Sequence, residues 1–261
     1  MSASGGRTRG TTTMLVEFAR VGAARYASHL DTARALRRTF ARAGVELALT
    51  QGLRPKVRLS LGLPLPVGAA GQHELALTVT ASTVGERRGE NEELAEVLTS
   101  AAPPGISVTT VERVPDGLRL HPRVALYEWT FARPPAGLRE AVEKFRSTAE
   151  VCVERRSPKA TRTLDLRRYV IAPETFRSGG VTVLRFGVRH RQDGAARPRE
   201  VLDLLTAWAT RAGADDVPGG PAGAGEDVPS SATLERRGVI YDGLAPRGSV
   251  REWLEHHETE A

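Results

Sequence analysis

Apolar residues along this chain change their spacing in an order that leaves few folds open. MLVEFARV (14–21) places Leu15, Phe18 and Val21 among polar residues, as in a strand. Leu30, Ala33, Leu36, Phe40 and Ala43 then recur at steps of three and four, predicting an amphipathic helix over 30–43 that Gly44 stops. VELAL (45–49) and VRLSLGL (57–63) read as strands around a Gly/Pro turn, and HELALTV (73–79) alternates. NEELAEVLTSAA (91–102) carries Leu94, Val97, Leu98 and Ala101 on one helical face, and ISVTTVERV (106–114) returns to strand. This is the order β-α-β-β-α-β of the ferredoxin-like split βαβ unit.

The order then runs a second time. ALYEWTF (125–131) is a strand, LREAVEKFRS (138–147) a helix, and VCVERRS, TRTLDLRRYV and VTVLRFGVRH are strands or extended segments. PREVLDLLTAWATRAG (198–213) buries Val201, Leu204, Leu205 and Trp208, and TLERRGVIYD (233–242) closes the set. The predicted fold is α+β, two tandem ferredoxin-like modules over 14–118 and 119–242. The boundary falls near 115–124, where PDGLRLHPR breaks the pattern. Residues 1–13 and the Gly/Pro/Ala-rich loop 213–231 are expected to be disordered. The tail 243–261 holds a short helix, with Ser249 and Glu252 placed as a capping box.

Residues 28–44, SHLDTARALRRTFARAG, contain the first functional question. Ser28 and Asp31 have the spacing of N-cap and N3, so they read as structural. His29 falls two residues from Asp31, on a diverging face, and the pair makes a poor dyad. The positive field of the helix start favours a neutral His29 ring, which is the form a general base needs. Arg34, Arg38 and Arg42 recur at steps of four with Arg37 alongside. Arg54, Lys56 and Arg58 follow around Gly52 with almost no acid between them. Both sets are candidate anion contacts, since Arg forms bidentate bonds to phosphate. Pro64, Pro66 and Gly68 are read as structural, forcing extended backbone. In the second half, Arg155, Arg156, Lys159, Arg162, Arg167 and Arg168 cluster around a hairpin tip, and Arg162 and Arg167 are the candidate nucleic-acid contacts there.

Composition limits the remaining options. The 261 residues carry 37 Lys+Arg against 31 Asp+Glu, a formal charge of +6, with the basic side chains mostly Arg. That balance suits an anionic partner, although codon bias explains it equally well. The single cysteine, Cys152, excludes an internal disulfide or a cysteine-held cluster, and its strand context reads as core. No metal site assembles at useful spacing, and no cofactor is expected. No apolar run reaches the length of a membrane span and no hydrophobic leader is seen, so a cytoplasmic location is expected.

RYASHLDTARALRRTFARAGVELALTQGLRPKVRLSLGLPLPVG (25–68) resembles the radical-SAM-linked bacterial protein family, a domain of unknown function. The HLD, RAG, QG, LS and PLPVG elements carry the likeness, and DLRRYV (165–170) is similar to a further element of that family. Where the family has a His, this chain has Lys56. The resemblance implies a radical SAM partner protein. At fold level the chain also looks like RNA-processing endonucleases of CRISPR systems. The leading expectation is a non-catalytic accessory protein that binds an anionic, RNA-type substrate. The rivals are an RNA-processing enzyme with His29 as base and Tyr26 as helper, and a protein–protein scaffold.

Overall fold

The structure is a computed structural model that describes residues 11–81, 90–157, 160–211, 232–247 and 249–257. The fold is α+β, and the chain divides into two compact units, Met1–His121 and Pro122–Ala261.

In the first unit, β1 (Thr12–Arg20) leads through a 3-10 turn (Gly22–Tyr26) into α1 (His29–Arg42). Then come β2 (Leu59–Leu61), β3 (Ala70–Thr80), α2 (Glu90–Ala101) and β4 (Ile106–Arg113). β1 lies between β4 and β3, and β2 pairs with the other edge of β3, all antiparallel. The strand order is therefore β4-β1-β3-β2. Alternation of β1 decides which residues face the helices: Met14, Val16 and Phe18 pack with Leu36 and Phe40 of α1 and Leu94 and Leu98 of α2. β1 is buried along its whole length, so both of its faces are covered.

The second unit contains β5 (Pro122–Phe131), α3 (Leu138–Ser147), the hairpin β6 (Cys152–Ser157) and β7 (Ala160–Asp165), β8 (Val170–Ser178), β9 (Val181–Arg189), α4 (Pro198–Arg211), β10 (Thr233–Tyr241) and α5 (Ser249–His257). Its sheet runs β10-β5-β9-β8, again antiparallel throughout, and β6–β7 pair only with each other. α5 lies on one sheet face, where Val250 and Trp253 pack on Val124, Leu126, Ile171 and Ala172. Two glycines make the room. A Cβ on Gly187 would lie 2.6 Å from Trp253 Cη2, and one on Gly238 would lie 2.6 Å from Val250 Cγ2.

Several sequence expectations need correction. β1 already begins at Thr12, so the disorder expected through residue 13 ends sooner; residues 1–10 and the loop 213–231 lie outside the described residues. VELAL is not a strand: Leu47 and Leu49 form isolated bridges, to Thr80 and Val57, because a turn at Gly52 (φ +125°) follows at once. Leu30 is not on the buried face of α1 but 67% exposed, whereas Thr32 and Ala33 in the same turn are buried. Val97 is likewise exposed, and Trp208 is only half-buried under Lys144. Cys152 is exposed at the start of the hairpin, since only its neighbour Val151 turns into the core.

Candidate nucleic-acid interface

The start of α1 is built as its spacing predicts. The Ser28 side chain accepts from the Asp31 backbone N–H (3.1 Å) and donates to the Asp31 carboxylate (2.7 Å). Arg34 donates to the other Asp31 oxygen at 2.9 Å. These two donors, the Ser28 hydroxyl first, hold the Asp31 carboxyl below its usual range.

Beneath that helix start sits a buried arginine that the spacing of motifs does not reveal. Arg20, at the end of β1, is 2% exposed. Its Nη1 donates to the Ala27 carbonyl (3.0 Å) and the Thr32 hydroxyl (2.9 Å), and its Nη2 to the Pro66 carbonyl (3.4 Å). One guanidinium thus ties the chain entering α1, the first turn of α1 and the Pro64–Gly68 loop. The sequence signal was a charged residue closing a strand rich in apolar residues. Arg20, His29, Thr32 and the buried Glu74 line a small cavity of about 10 Å³, floored by Phe18 and walled by Leu61, Leu63, Leu65 and Leu75. That volume admits roughly one water. His29 therefore borders a space too small for a nucleotide, and is itself partly exposed.

A second polar pair is equally invisible to motif spacing. Glu17, 5% exposed, accepts from Thr110 Oγ1 (3.2 Å) and lies 2.5 Å from His73 Nδ1. It stitches β1, β3 and β4 on the sheet face away from α1 and α2.

The basic residues divide sharply between the units. In the second unit, Arg155 forms a bidentate pair with Glu200 (2.7 and 2.6 Å) and donates to the Ala195 carbonyl, pinning the hairpin to the start of α4. Glu200 holds the Arg155 guanidinium above its usual pKa. Arg156 pairs with Glu154, and Arg168 with Asp193. Arg167 lies over the Phe145 ring at 5.4 Å, and Arg162 is exposed opposite Arg155 on the hairpin. Lys159 lies outside the described residues. In the first unit only Arg34 of the candidate set is paired. Among the described residues no carboxylate pairs with Arg37, Arg38, Arg42, Arg54, Lys56 or Arg58, and all are exposed. The two carriers are linked, since Leu36 and Phe40 of α1 and Leu59 and Leu61 of β2 belong to one hydrophobic cluster.

Tyr26 closes the 3-10 turn next to α1 and is 59% exposed. Arg25 donates to its hydroxyl (2.6 Å) and lies over its ring at 4.8 Å. The Gly68 N–H donates to the Arg25 carbonyl, which brings the PLPVG loop beside the ring. Gly68, at φ +89°, allows that close approach.

Among the described residues no group of three or more His, Cys, Asp or Glu side chains comes together, and no helix is long and apolar enough to cross a membrane. No curated protein matches the chain. A solved structure provisionally described as a glycine cleavage system transcriptional repressor is similar at 10% identity, covering 89% of this chain and 99% of that one, with a TM-score of 0.21. The model of the family described as "Uncharacterized protein conserved in bacteria (DUF2344)" matches residues 13–198, from the first strand to the first residue of α4. The chain belongs to that bacterial family.

Proposed function

We propose that this protein binds RNA through the first unit and does no chemistry on it, acting as an accessory to a radical SAM enzyme. The observation that carries the binding half is the set of exposed cations Arg37, Arg38, Arg42, Arg54, Lys56 and Arg58 on α1 and the segment before β2, which meet no carboxylate among the described residues. Cations left without acidic partners are free to neutralise phosphates. In the second unit Arg155, Arg156 and Arg168 are paired to carboxylates, while Arg162 and Arg167 pair with none among the described residues and are secondary candidates for phosphate contact. The radical SAM partnership rests on the sequence resemblance over residues 25–68. The fold reading that goes with this function is two ferredoxin-like modules in tandem. The repeated orders β4-β1-β3-β2 and β10-β5-β9-β8 support it.

The test is binding of purified protein to total cellular RNA at two salt concentrations. Micromolar or tighter affinity that falls steeply with salt is the expected result, and Arg37→Glu with Arg38→Glu abolishes it. No binding at low salt would sink the proposal.

A protein-docking role is the second reading, favoured by the fully exposed Leu53 between Gly52 and Arg54. It predicts capture of a partner protein that Leu53→Ser disrupts and the arginine reversals do not.

A further inference from the structure

We infer that the RNA bound by the first unit is single-stranded and that Tyr26 is a stacking platform for one of its bases. This rests on the RNA-binding reading above and names the form of the ligand. Among the described residues Tyr26 is the one aromatic in the set of large, strongly exposed hydrophobic side chains. An exposed tyrosine on a loop normally samples several rotamers. This one is held: Arg25 bonds its hydroxyl and covers its ring, and the 66–68 turn, tied to the Arg25 carbonyl, sits at its edge. A ring fixed in advance loses little entropy when a base stacks on it. The pairing of an aromatic ring with an arginine plane is also what unpaired bases stack upon in RNA-binding modules.

The ring comes just before the helix that carries the basic row. Tyr26 lies three residues before the first residue of α1, and the exposed face of that helix carries Arg38 and Arg42 one step of four apart, beyond the Asp31-paired Arg34. Each step advances about 6 Å along the helix. A strand whose base rests on Tyr26 can run its phosphates along this row. A duplex cannot use the ring along its length, because its internal base faces are already stacked on one another, and only its two end faces are open. The surface therefore discriminates by strand state and not by sequence, since every base offers a π-face.

Fluorescence anisotropy of the full-length protein with labelled oligouridylate, and with a blunt RNA duplex of equal phosphate number, tests this. The wild type binds the single strand more tightly. Tyr26→Phe retains that affinity, because the ring remains. Tyr26→Ala weakens single-strand binding about ten-fold, leaves duplex binding unchanged and keeps the salt slope, because stacking and phosphate neutralisation contribute separately. Circular dichroism of both variants checks that they stay folded. Duplex binding as tight as single-strand binding would overturn the inference, as would a Tyr26→Ala variant with unaltered affinity. In either case RNA binding itself, and its loss in Arg37→Glu with Arg38→Glu, would still stand. Absence of binding to both probes would remove the underlying reading as well.

Discussion

At the scale of single residues, two buried charges hold the first unit together, and the larger of them can be tested by removal. Arg20→Met keeps most of the volume but leaves the Ala27 and Pro66 carbonyls and the Thr32 hydroxyl without their donor. Leaving a buried polar group without a partner costs about 1–3 kcal/mol. Urea denaturation should show destabilisation of at least about 2 kcal/mol on that basis, and Tyr26 should lose its fixed environment because the adjoining turn is released. A stability equal to wild type would mean that Arg20 is not the tie it is taken to be. His190 gives a pH prediction. Burial, with Arg236 adding to it, lowers its pKa to about 4, and its Nε2 has no hydrogen-bond partner among the described residues. The unfolded ring titrates near its ordinary value of 6.5. Above that value both states are neutral and the folded protein is at its full stability. As pH falls from 6.5 toward 4, the unfolded chain takes up a proton that the folded one refuses, and stability drops. The decrease is about 2 kcal/mol once partial exposure is allowed for. His190→Gln should flatten that part of the stability profile, measured by denaturant midpoint against pH.

Among the secondary-structure elements, caps and packing recesses decide what stays in place. Ser28→Ala removes the N-cap of α1 and should cost about 1 kcal/mol by thermal melting. α5 is held by shape instead of by charge. Gly187→Ala would drive a methyl group into Trp253, so α5 must shift or leave its sheet face. The expected outcome is faster proteolysis after residue 243 and exposure of Trp253 to fluorescence quenchers, with the rest of the unit folded. Unchanged quenching would show that α5 adapts. Arg155 holds the hairpin β6–β7 to α4 through its ion pair with Glu200 and its bond to the Ala195 carbonyl. Arg155→Met should free it from α4 and raise amide exchange across residues 152–165.

For the whole molecule, the distribution of charge matters more than its total. The net charge of +6 could come from anywhere on the surface. Because Arg155, Arg156 and Arg168 of the second unit already meet carboxylates, reversing their charge should leave RNA affinity near wild type. Reversal of Arg38 and Arg42 should reduce the salt slope by about 0.7 for each phosphate no longer neutralised. Equal effects in both units would place the interface elsewhere.

Much of this protein was legible in its sequence because local rules govern it. The periods of 14–21, 30–43, 73–79 and 181–190 fix strand or helix through alternation and face formation, which neighbours along the chain decide. The Ser28–Asp31 cap was readable for the same reason. What the linear order could not supply was partnership. Whether an arginine is free depends on which carboxylate folding brings beside it. Arg155 meets Glu200 from forty-five residues away, while Arg38 meets none among the described residues. Leu30 fits the apolar period of α1 yet is exposed, while the polar Thr32 is buried against Arg20, because a buried hydrogen-bond partner is not visible in periodicity. Arg20, Glu17 and His73 find their partners only when β1, β3 and the Pro64–Gly68 loop are assembled. Secondary structure was written in spacing, whereas which charges meet carboxylates was decided by long-range pairing, which spacing does not encode.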